Sequence, residues 1–524
     1  GSLWEPEPED PEVEEARDSL LAELDRVAGV IPGDEWVLGQ RVWYRVEAGR
    51  GDQAQAVADA CGGAPDWWCA ALEGLALHVE GDYPAAERAF DRALAGMDSA
   101  EARRWQEVRP LLDGEGRHAL EQASERSPAA REAFLRRLWQ VSDPLELVPG
   151  NDRRTEHLAR RTVIRIRSEA RNPHRISWGS DLAELLLRYG WEVGWERLPA
   201  PTGSFLTLRS VVGHEHPDSR SYVPPGQVLA DPAVSDAEPW TPSSSYARST
   251  YAPAYAPVIL PMTSRIVVLT RGRRSLVAAT FELPEDTTLR ARKDVRREHR
   301  PPRTFRGGPV QAGFFLTGAD GGRVRSVRVD GRPRGVLVQE VPAGTYWVSV
   351  EVLDPDAGRA GRLRKGLPIP AIPPDRATVS DLLLLEPGPK PESAREALHR
   401  LRVDDVVKAG ESILVAWEIR GLGWRDEILD YRLSVGDEGT GFLHRAGELL
   451  GLVDPEKPDF LEWSEPGPAD PGPSLRSVSM RLPELEPGTY ALRLELTAPG
   501  RSPLVAERRL EVVSPSARGA PDRR

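Results

Sequence analysis

Few residues in this chain have the types and spacing of a chemical site, and the best candidates surround two histidines. His214 and His216 would lie on the same side of a β-strand, where both could bind one metal ion. Glu215 and Asp218 add carboxylates nearby. Pro217 and the loop-like composition around it favour a solvated loop instead. We therefore predict no metal site here.

Short motifs that mark common catalytic or phosphate-binding sites are absent from the sequence. The motifs sought were Gly-x-Ser-x-Gly, His-Glu-x-x-His, Gly-x-x-x-x-Gly-Lys, Gly-x-Gly-x-x-Gly and paired Cys-x-x-Cys. Each supplies a nucleophile, a set of metal ligands or a backbone cradle for phosphate at fixed spacing. We predict a non-catalytic protein without a cofactor, although a site built from residues distant in sequence stays open.

A tryptophan-rich stretch at 177–198 is the remaining place where chemistry could be assembled. Its candidate residues are Trp178, Ser180, Asp181, Tyr189, Trp191 and Trp195. Indoles in such a stretch form either a packing core or the wall of a ligand pocket. Asp181, Glu184 and Glu192 could provide two carboxylates for glycoside hydrolysis if they shared a cleft. We favour the packing core, in which Trp178→Ala costs roughly 3–5 kcal/mol.

The two cysteines, Cys61 and Cys69, flank a Gly-Gly-Ala-Pro-Asp turn. Their spacing allows a disulfide between two helix ends in an oxidising compartment. Two buried thiols are the alternative. A metal site would need more ligands than His78, the nearest histidine in the sequence, can provide.

The charge balance limits the classes of partner. The 69 basic and 81 acidic residues give a net charge of −12, which argues against nucleic acid. The densest basic run, 290–306, holds seven Arg and one Lys but only one aromatic residue, Phe305. That composition favours a solvated hairpin or contact with an acidic partner. No window approaches the roughly 18 apolar residues of a membrane span.

The first part of the chain has helical periodicity. Leu20, Leu21, Leu24 and Val27 share one helix face, and Ile31-Pro32-Gly33 ends that helix. Residues 70–94 resemble a tetratricopeptide repeat, although Ala70 and Glu73 depart from its pattern. The matching positions are Gly74, Leu77, Tyr83, Ala86, Phe90 and Ala93. Such hairpins must stack on further helices, forming either a packed domain or a concave peptide-binding groove.

The 177–190 region resembles the GWxTD-domain family, bacterial proteins of unassigned biochemistry. The signature Gly-Trp-any-Thr-Asp retains Trp178 and Asp181, with Ser180 for Thr and Ser177 for Gly. The upstream residues that match the family are Trp139, Asp143, Pro144, Asn151, Glu156 and His157. The resemblance implies a β-rich tail and an exported protein, and it favours a half-buried strand over a helix for 185–190. Without it, Ser180 or Asp181 would cap a helix through Tyr189.

From residue 258 onward the hydrophobic period changes to two, which is typical of strands. The predicted strands are 266–269, 276–283, 311–316, 324–329, 335–341, 345–352, 398–403, 412–419, 428–435, 475–482, 489–496 and 505–512. A Gly-Thr-Tyr sequence opens one late strand of each set, at Tyr346 and Tyr490. This resembles the turn into a late strand of immunoglobulin-like sandwiches. The 366–375 stretch resembles a linker, and 382–385 could add an edge strand to the first sandwich.

These patterns predict a multidomain α + β protein with a helical repeat domain, a mixed junction and two antiparallel β-sandwiches. The predicted parts are an acidic disordered leader at 1–15, a tetratricopeptide-like domain at 16–126, a GWxTD-like junction at 127–198, an extended surface segment at 199–258 tethered by Tyr246, Tyr251 and Tyr255, immunoglobulin-like sandwiches at 259–390 and 395–514, and a disordered tail at 515–524.

The predicted function is a scaffold of the bacterial cell envelope that binds protein partners through its helical repeats or sandwiches. Two alternatives stay open: a carbohydrate-active or other hydrolase with its site at the junction, and a cleavable or partner-switching regulator. Gly1-Ser2 resembles a cloning remnant, which together with the family resemblance predicts a removed leader and export; a cytoplasmic location is the alternative. The oligomeric state is not predicted.

Overall fold

The chain has a helical front half and a β-rich back half, so it is a mixed α + β protein of several parts. A computed structural model of the chain describes residues 11–168, 180–191, 196–198, 210–212, 219–242, 247–284, 308–318, 322–329, 331–373, 376–437 and 460–514. None of the helices in these ranges has the length and hydropathy of a membrane span.

Ten α-helices lie within the described residues of the front half. They are α1 Pro11–Val30, α2 Glu35–Glu47, α3 Gly51–Asp59, α4 Asp66–Val79, α5 Tyr83–Gly96, α6 Ser99–Trp105, α7 Gly114–Arg126, α8 Pro128–Ser142, α9 Asp152–Ser168 and α10 Ser180–Tyr189. Several begin with a carboxylate or hydroxyl that accepts a backbone N–H of the first turn, as Asp82 does for α5 and Ser127 for α8. These caps satisfy donors that the helix itself leaves unpaired.

The prediction of a disordered leader over 1–15 is wrong for its last five residues, because helix α1 begins at Pro11. Proline suits the first turn, where its missing N–H costs nothing. Glu12 and Glu14 follow in that turn, where negative charge is favourable near the positive end of the helix dipole. Residues 1–10 and 515–524, predicted to be disordered, lie outside the described residues.

Helix α9 lies across the hairpins α2–α3 and α4–α5 and packs against α2, α4 and α5. The contact is close: a Cβ on Gly39 would lie 3.2 Å from Trp68 and 3.1 Å from Ile166. The Gln40 side-chain amide also donates to the Ile166 carbonyl at 3.2 Å. The face that could have formed a peptide-binding groove is therefore covered by the chain itself.

The segment 199–258 is not a surface extension where it is described. It begins after the short strand β1 Glu196–Leu198, and it contains the antiparallel partner of that strand, β2 Ser210–Val212, and the helix α11 Gly226–Ala230. Tyr222, Tyr251 and Tyr255 are buried between the helices and the β-rich half. Aromatic side chains of this size gain more by burial than by lying on the surface. Tyr246 lies outside the described residues.

The next part of the chain, here called the first β unit, consists of two sheets around one core. Its strands are β3 Val258–Pro261, β4 Ile266–Arg271, β5 Arg274–Glu282, β6 Gln311–Gly318, β7 Arg323–Val329, β8 Arg334–Pro342, β9 Gly344–Asp354 and β10 Arg359–Ile369. One sheet has the order β3-β10-β9-β6-β7 and the other β4-β5-β8. Phe281, Phe314 and Val350 meet in the core between them.

The second β unit repeats this plan. Its elements are β11 Thr378–Val379, β12 Leu383–Leu385, α12 Ala394–His399, β13 Val406–Lys408, β14 Ser412–Arg420, β15 Ile428–Asp437, β16 Phe460–Pro466, β17 Ser474–Arg481, β18 Gly488–Thr497 and β19 Leu504–Val513. The five-stranded order β13-β19-β18-β15-β16 matches that of the first unit, including a parallel first pair. The other sheet places β14 between β17 and the short strands β11 and β12.

Three local predictions in the β half are wrong. The 382–385 strand pairs with β14 and so joins the second unit, not the first. Residues 398–403, predicted as a strand, begin within α12, which Ser393 caps. The predicted linker begins inside β10, whose pairing with β9 continues to Ile369. We did not predict β10 as a strand because arginines at alternate positions make one of its faces polar, although the helices bury that face.

The two Gly-Thr-Tyr sequences form equivalent turns. The Tyr346 hydroxyl donates to the Pro342 carbonyl at 3.0 Å, and the Tyr490 hydroxyl donates to the Glu486 carbonyl at 3.0 Å. In each case the bond spans four residues at the start of the central strand of the five-stranded sheet. Each tyrosine thus fixes the corner that leads into that strand.

We expect Tyr346→Phe to lower the free energy of unfolding by about 1 kcal/mol, because it removes one net hydrogen bond from a buried ring. Tyr490→Phe should cost less, since its hydroxyl lies at an exposed position and water can replace the bond. Urea denaturation of both variants measures the difference. An unchanged midpoint for Tyr346→Phe would show that the corner bond contributes nothing.

The two β units pack face to face. Leu269 and Leu276 of the three-stranded sheet meet Leu414 of β14 and the apolar side of α12. Around this contact Arg271 pairs with Glu418 at 2.5 Å, and Asp405 pairs with both Arg265 and Arg508. The result is a stack of four sheets whose middle layers share an apolar core.

Candidate functional site

The unusual chemistry of this protein lies on α9, whose sequence is strongly polar although most of the helix is buried. Its buried polar residues are Asp152, Arg153, Thr155, Glu156, His157, Arg160 and Thr162. Buried polar groups are costly unless they are paired, so such a face must meet a matching set of partners. We call these α9 residues, with His78, Tyr83, Tyr251 and Tyr255, the polar core.

A hydroxyl, an imidazole and a carboxylate follow one another in the polar core. The His78 Nδ1 lies 2.9 Å from the Thr155 Oγ1, and its Nε2 lies 2.7 Å from the Glu156 carboxylate. This is the order of groups that activates a nucleophile in hydrolases. The three residues are at most 6% exposed, and Thr155 Oγ1 also donates to the Asp152 carbonyl of its own helix at 3.1 Å. Because all three are buried, this arrangement of Thr155, His78 and Glu156, here called the relay, connects helices α4 and α9.

Glu156 is the electrostatic centre of the relay. Burial works against its ionisation, yet the Arg160 guanidinium and His78 outweigh burial and hold the pKa of this carboxyl well below its usual range. Arg160 Nε donates to Glu156 at 2.5 Å. The charge is therefore fixed at neutral pH by neighbours that are themselves buried.

Arg160 also ties separate parts of the chain together. Its terminal nitrogens donate to the carbonyls of Leu187 and Arg188 at the end of α10, at 3.1 and 2.9 Å, and to Thr250 at 2.8 Å. The carbonyls that close a helix have no partners within it, so a cation placed there is favourable. The Arg160 side chain thus connects α9 with the end of α10 and with the backbone at Thr250, next to the buried Tyr251.

Three further carboxyls, Asp143, Glu146 and Asp152, have buried side chains, and Glu146 forms an ion pair with Arg323 at 3.1 Å. Burial raises the pKa of Asp152 to about 7, and the Tyr251 and Tyr255 hydroxyls beside it offset part of that effect. Burial also raises the pKa of Glu146 to about 7 and that of Asp143 well above its usual range. These groups hold protons near neutral pH, which an ordinary carboxyl does not.

Two arginines on β10 complete the contact between the helices and the first β unit. Arg364 donates to Glu351 at 3.1 Å and to the Val141 carbonyl of α8 at 3.0 Å. Arg362 donates to the carbonyls of Pro144 and Trp240, at 2.9 and 3.0 Å. Both arginines are almost completely buried. The outer face of the five-stranded sheet is thus a docking surface for the helices.

Two cavities in the described residues have linings that do not include the relay. A cavity of about 220 Å³ lies between Tyr222, Trp240 and Arg362. It is smaller than a typical small-molecule site. A larger groove of about 660 Å³ lies between the two β units, lined by side chains such as Arg265, Glu282 and Asp404. Neither reaches the hydroxyl of the relay.

The predicted junction residues lie in different environments. Helix α10 runs from Ser180 to Tyr189, so the helix alternative is confirmed and the strand that the family resemblance favoured for 185–190 is wrong. Ser180 begins that helix, and Asp181 next to it is exposed. Tyr189 donates to the Ala247 carbonyl at 3.5 Å, and Trp191 packs edge to face on Trp43 with ring centroids 5.8 Å apart. Trp178 and Trp195 lie outside the described residues.

The carboxylates proposed for glycoside hydrolysis do not form a buried pair where they are described. Glu184, like Asp181, is exposed, and it forms an ion pair with Arg188 at 3.1 Å. Glu192, the 214–218 cluster and the basic run 290–306 lie outside the described residues. No group of three or more metal-binding side chains occurs within the described part of the chain.

The sequence did not predict the polar core, although four residues named for the family resemblance lie in or beside it. Asp143, Asn151, Glu156 and His157 all lie in or beside it, and Asn151 donates to the Trp139 carbonyl at 2.7 Å. Sequence reasoning missed Arg160, Arg362 and Arg364. The available signal was the alternation of arginine with apolar residues in β10, which resembles an ordinary solvated strand face.

Cys61 and Cys69 are joined by a disulfide in the structure, with Cα atoms 5.7 Å apart. It closes the turn between α3 and α4, next to Trp67 and Trp68. These two rings hold Arg165 of α9, whose guanidinium carbon lies 4.9 and 5.0 Å from their centroids. The disulfide therefore braces one end of the α9 contact.

We expect the Cys61→Ser/Cys69→Ser variant to be about 2–3 kcal/mol less stable than the oxidised protein, from the chain entropy that a short loop removes. Thermal denaturation with and without a reductant measures this, and alkylation of the unreduced, unfolded protein should leave both cysteines unlabelled. Reductant should not change the melting temperature of the double variant. A wild-type protein that incorporates two alkyl groups before reduction would contradict the disulfide.

Comparisons with known proteins add little to this description. No family model matches the sequence, and no curated protein matches it. Among solved structures, the chain is compared with the crystal structure of red sea bream transglutaminase at 9% identity and a TM-score of 0.14. The match covers 48% of this chain and 31% of that one, so the chain spans about a third of the transglutaminase. A score this low carries no argument about fold or activity.

Proposed function

We propose that this chain is a non-catalytic scaffold that binds protein partners in the bacterial cell envelope. One observation carries the proposal: among the described residues, the side chains best able to do chemistry are buried, where they hold helices to one another and to the first β unit. Contacts between helices use Thr155, His78 and Glu156. Contacts between the sheet and the helical half use Arg362 and Arg364. Such groups give rigidity rather than turnover.

The finer architecture belongs to the same proposal. We infer that both β units are immunoglobulin-like sandwiches, supported by their repeated strand order, the parallel first pair and the tyrosine at each corner. The α2–α3 and α4–α5 hairpins support a tetratricopeptide-like origin, with α9 in the place of a peptide ligand. We also propose membership of the GWxTD-domain family on the matched residues, of which Asp143, Asn151, Glu156 and His157 lie in or beside the polar core.

Export to the envelope is supported by the disulfide. Disulfides persist in oxidising compartments such as the periplasm and are rare in the bacterial cytoplasm. The described cysteines are both used in that bond. A scaffold exposed outside the cytoplasm would then bind its partners through surfaces other than the covered hairpin face.

The proposal is tested with the whole protein, purified oxidised and immobilised, against a detergent extract of the bacterial envelope. We expect recovery of a stoichiometric protein partner that binds again when purified. Glycan and peptide hydrolysis are assayed in parallel. A measured turnover without a stoichiometric partner would contradict the scaffold proposal.

Limited proteolysis separates this proposal from a cleavable regulator. Buried Tyr222, Tyr251 and Tyr255 anchor the segment that follows β2. Its described stretches, 219–242 and 247–258, should therefore resist cleavage as well as the β units do. Rapid cutting within 247–258 of the native protein would favour the regulator.

A further inference from the structure

The cavity of about 220 Å³ beside Arg362 is lined by buried donors that lack a partner. Tyr222 and Trp240 both line it, and they are only 3% and 4% exposed. Within the described part of the chain, the Tyr222 Oη and the Trp240 Nε1 have no hydrogen-bond partner. A buried donor without a partner costs free energy, so two of them at one cavity indicate that an acceptor binds there. We call this cavity the donor cavity.

Arg362 adds a buried positive charge to the lining of the donor cavity. Its guanidinium carbon lies 5.5 Å from the centre of the Tyr222 ring, and its hydrogen bonds go to three neutral backbone carbonyls. Among the described residues no carboxylate forms an ion pair with Arg362, whereas its neighbour Arg364 pairs with Glu351. Buried charges are normally paired, so Arg362 indicates that the missing acceptor is an anion.

The protonation states of these groups suit an anion at neutral pH. Burial, together with the nearby Arg364, lowers the pKa of Arg362 to about 9, so the guanidinium is still charged. Burial raises the pKa of the Tyr222 hydroxyl well above its usual range, so this group keeps its proton and can donate it to a hydrogen bond. Burial also raises the pKa of Asp143 well above its usual range. That neighbouring carboxyl therefore does not supply the missing negative charge.

One carboxylate, Asp113, is among the described residues that line the donor cavity, but both of its oxygens already accept hydrogen bonds. Oδ1 accepts the Gly116 N–H of α7 at 2.7 Å, and Oδ2 accepts the Gly226 N–H of α11 at 3.0 Å. These bonds place the negative charge at the starts of two helices, where it is favourable. The exposed Arg248 adds a second cation to the lining. The charges of the lining thus favour an anionic ligand.

An apolar wall completes the donor cavity and sets the size of its ligand. The wall consists of Leu111, Val141, Val223, Pro224, Pro225 and Pro239. An apolar cavity of about 150 Å³ can hold benzene, so 220 Å³ accommodates a ring or a short chain that carries one carboxylate. An inorganic anion would leave the apolar wall uncovered. The lining residues Pro225 and Thr241 are exposed, so the cavity reaches the protein surface.

We propose that the donor cavity binds a small organic carboxylate, whose oxygens accept hydrogen bonds from Tyr222 and Trp240 and whose charge is balanced by Arg362. The apolar body of the ligand lies against the proline and aliphatic wall. The helical half, the segment that follows β2 and strand β10 all contribute to this site. The inference goes beyond the proposed scaffold function and does not depend on it.

Ligand-detected NMR titration of the whole protein with defined probes tests the proposal. Benzoate and hexanoate carry an aromatic and an aliphatic body, and benzamide and hexanamide are their neutral counterparts. Inorganic phosphate is the anion without an apolar body. We expect at least one of the two carboxylates to bind with a dissociation constant of about 1 mM or below. The matching amide should bind at least about tenfold more weakly, because it has no charge for Arg362 to balance. Phosphate should not displace the carboxylate.

The Tyr222→Phe variant removes the unpartnered hydroxyl and keeps the ring. It should weaken binding of the carboxylate about tenfold, as expected for one hydrogen bond to a charged group. The melting temperature of the ligand-free variant should equal or exceed that of wild type, because the hydroxyl has no partner to lose among the described residues. Tyr490→Phe, in the second β unit, is the matched control and should leave carboxylate binding unchanged.

Four results would overturn the inference. Equal binding of a carboxylate and its amide would show an apolar pocket without preference for an anion. Displacement of the carboxylate by phosphate would identify a site for inorganic anions. Wild-type affinity in Tyr222→Phe would place the bound carboxylate elsewhere on the protein. If neither carboxylate bound at about 10 mM, water alone would satisfy the donors. None of these results bears on the scaffold proposal, which the search for a protein partner tests separately.

Discussion

Replacing Glu351 with alanine should lower the free energy of unfolding by about 3–5 kcal/mol, one of the largest effects of a single change in this protein. Glu351 lies under the helices with no solvent exposure, where it accepts the Leu147 N–H at 2.9 Å and the Arg364 guanidinium at 3.1 Å. Its removal leaves a buried cation without its anionic partner. Urea denaturation followed by tryptophan fluorescence measures the loss.

Two controls separate a buried charge from a lost contact. Glu340 pairs with Arg274 at 2.7 Å on the surface, so Glu340→Ala should cost less than about 1 kcal/mol. The double variant Glu351→Leu/Arg364→Met removes both charges, and it should be more stable than Glu351→Ala despite the second substitution. A double variant less stable than Glu351→Ala would show that hydrogen bonds to the helices, not the unpaired charge, dominate.

The sequence predicts most of the strands because their inner faces follow a simple rule. Val348, Val350 and Val352 alternate with other residues along β9, and all three lie in the core of the first β unit. The same pattern predicts the core strand β18 through Leu492, Leu494 and Leu496. A hydrophobic period of two residues shows which face of a strand is turned toward a core, and it does so whatever the order of the strands in the sheet.

The same rule fails where a polar face is buried. Arg362 and Arg364 project from β10 as solvated residues would, yet they are covered by helices more than a hundred residues away in sequence. Nothing local distinguishes a buried arginine from an exposed one; the difference is the set of carbonyls that the helices bring to it. For this reason the sequence predicted neither the polar core on α9 nor the sheet face that packs against the helices.

The short helices and strands between the β units illustrate a second limit. Residues 398–403 have the composition of a strand, but Ser393 caps a helix just before them and Leu398 packs into the apolar contact between the units. Leu383 and Leu385 point into that same contact. The sheet that this strand joins therefore depends on how the two β units pack together. Hydrophobic periodicity carries no information about that packing.

The difference in unfolding free energy between Asp152→Asn and wild type should shift by about 4 kcal/mol in favour of the variant between pH 4 and pH 8. The reason is that wild type must lose stability as Asp152 ionises, whereas asparagine does not ionise. In the unfolded chain the Asp152 carboxyl titrates near 3.8, whereas in the folded protein burial raises its pKa to about 7. The folded state thus retains a proton that the unfolded state has lost. Stability contributed by this group is complete below pH 3.8, is lost as the pH rises to about 7, and levels off above that pH because both states are then ionised.

The prediction concerns the difference between two proteins, because neighbouring groups also titrate. Burial holds the pKa of His157 well below its usual range, so the folded protein loses stability below about pH 6.5, opposite to the effect of Asp152. That contribution cancels when Asp152→Asn and wild type are compared at each pH by urea denaturation. Asp356 is exposed on a turn, and Asp356→Asn should change stability by the same small amount throughout. If the Asp152→Asn difference were also constant from pH 4 to 8, the carboxyl would be ionised in the folded core, and the Tyr251 and Tyr255 hydroxyls beside it would be stabilising its charge.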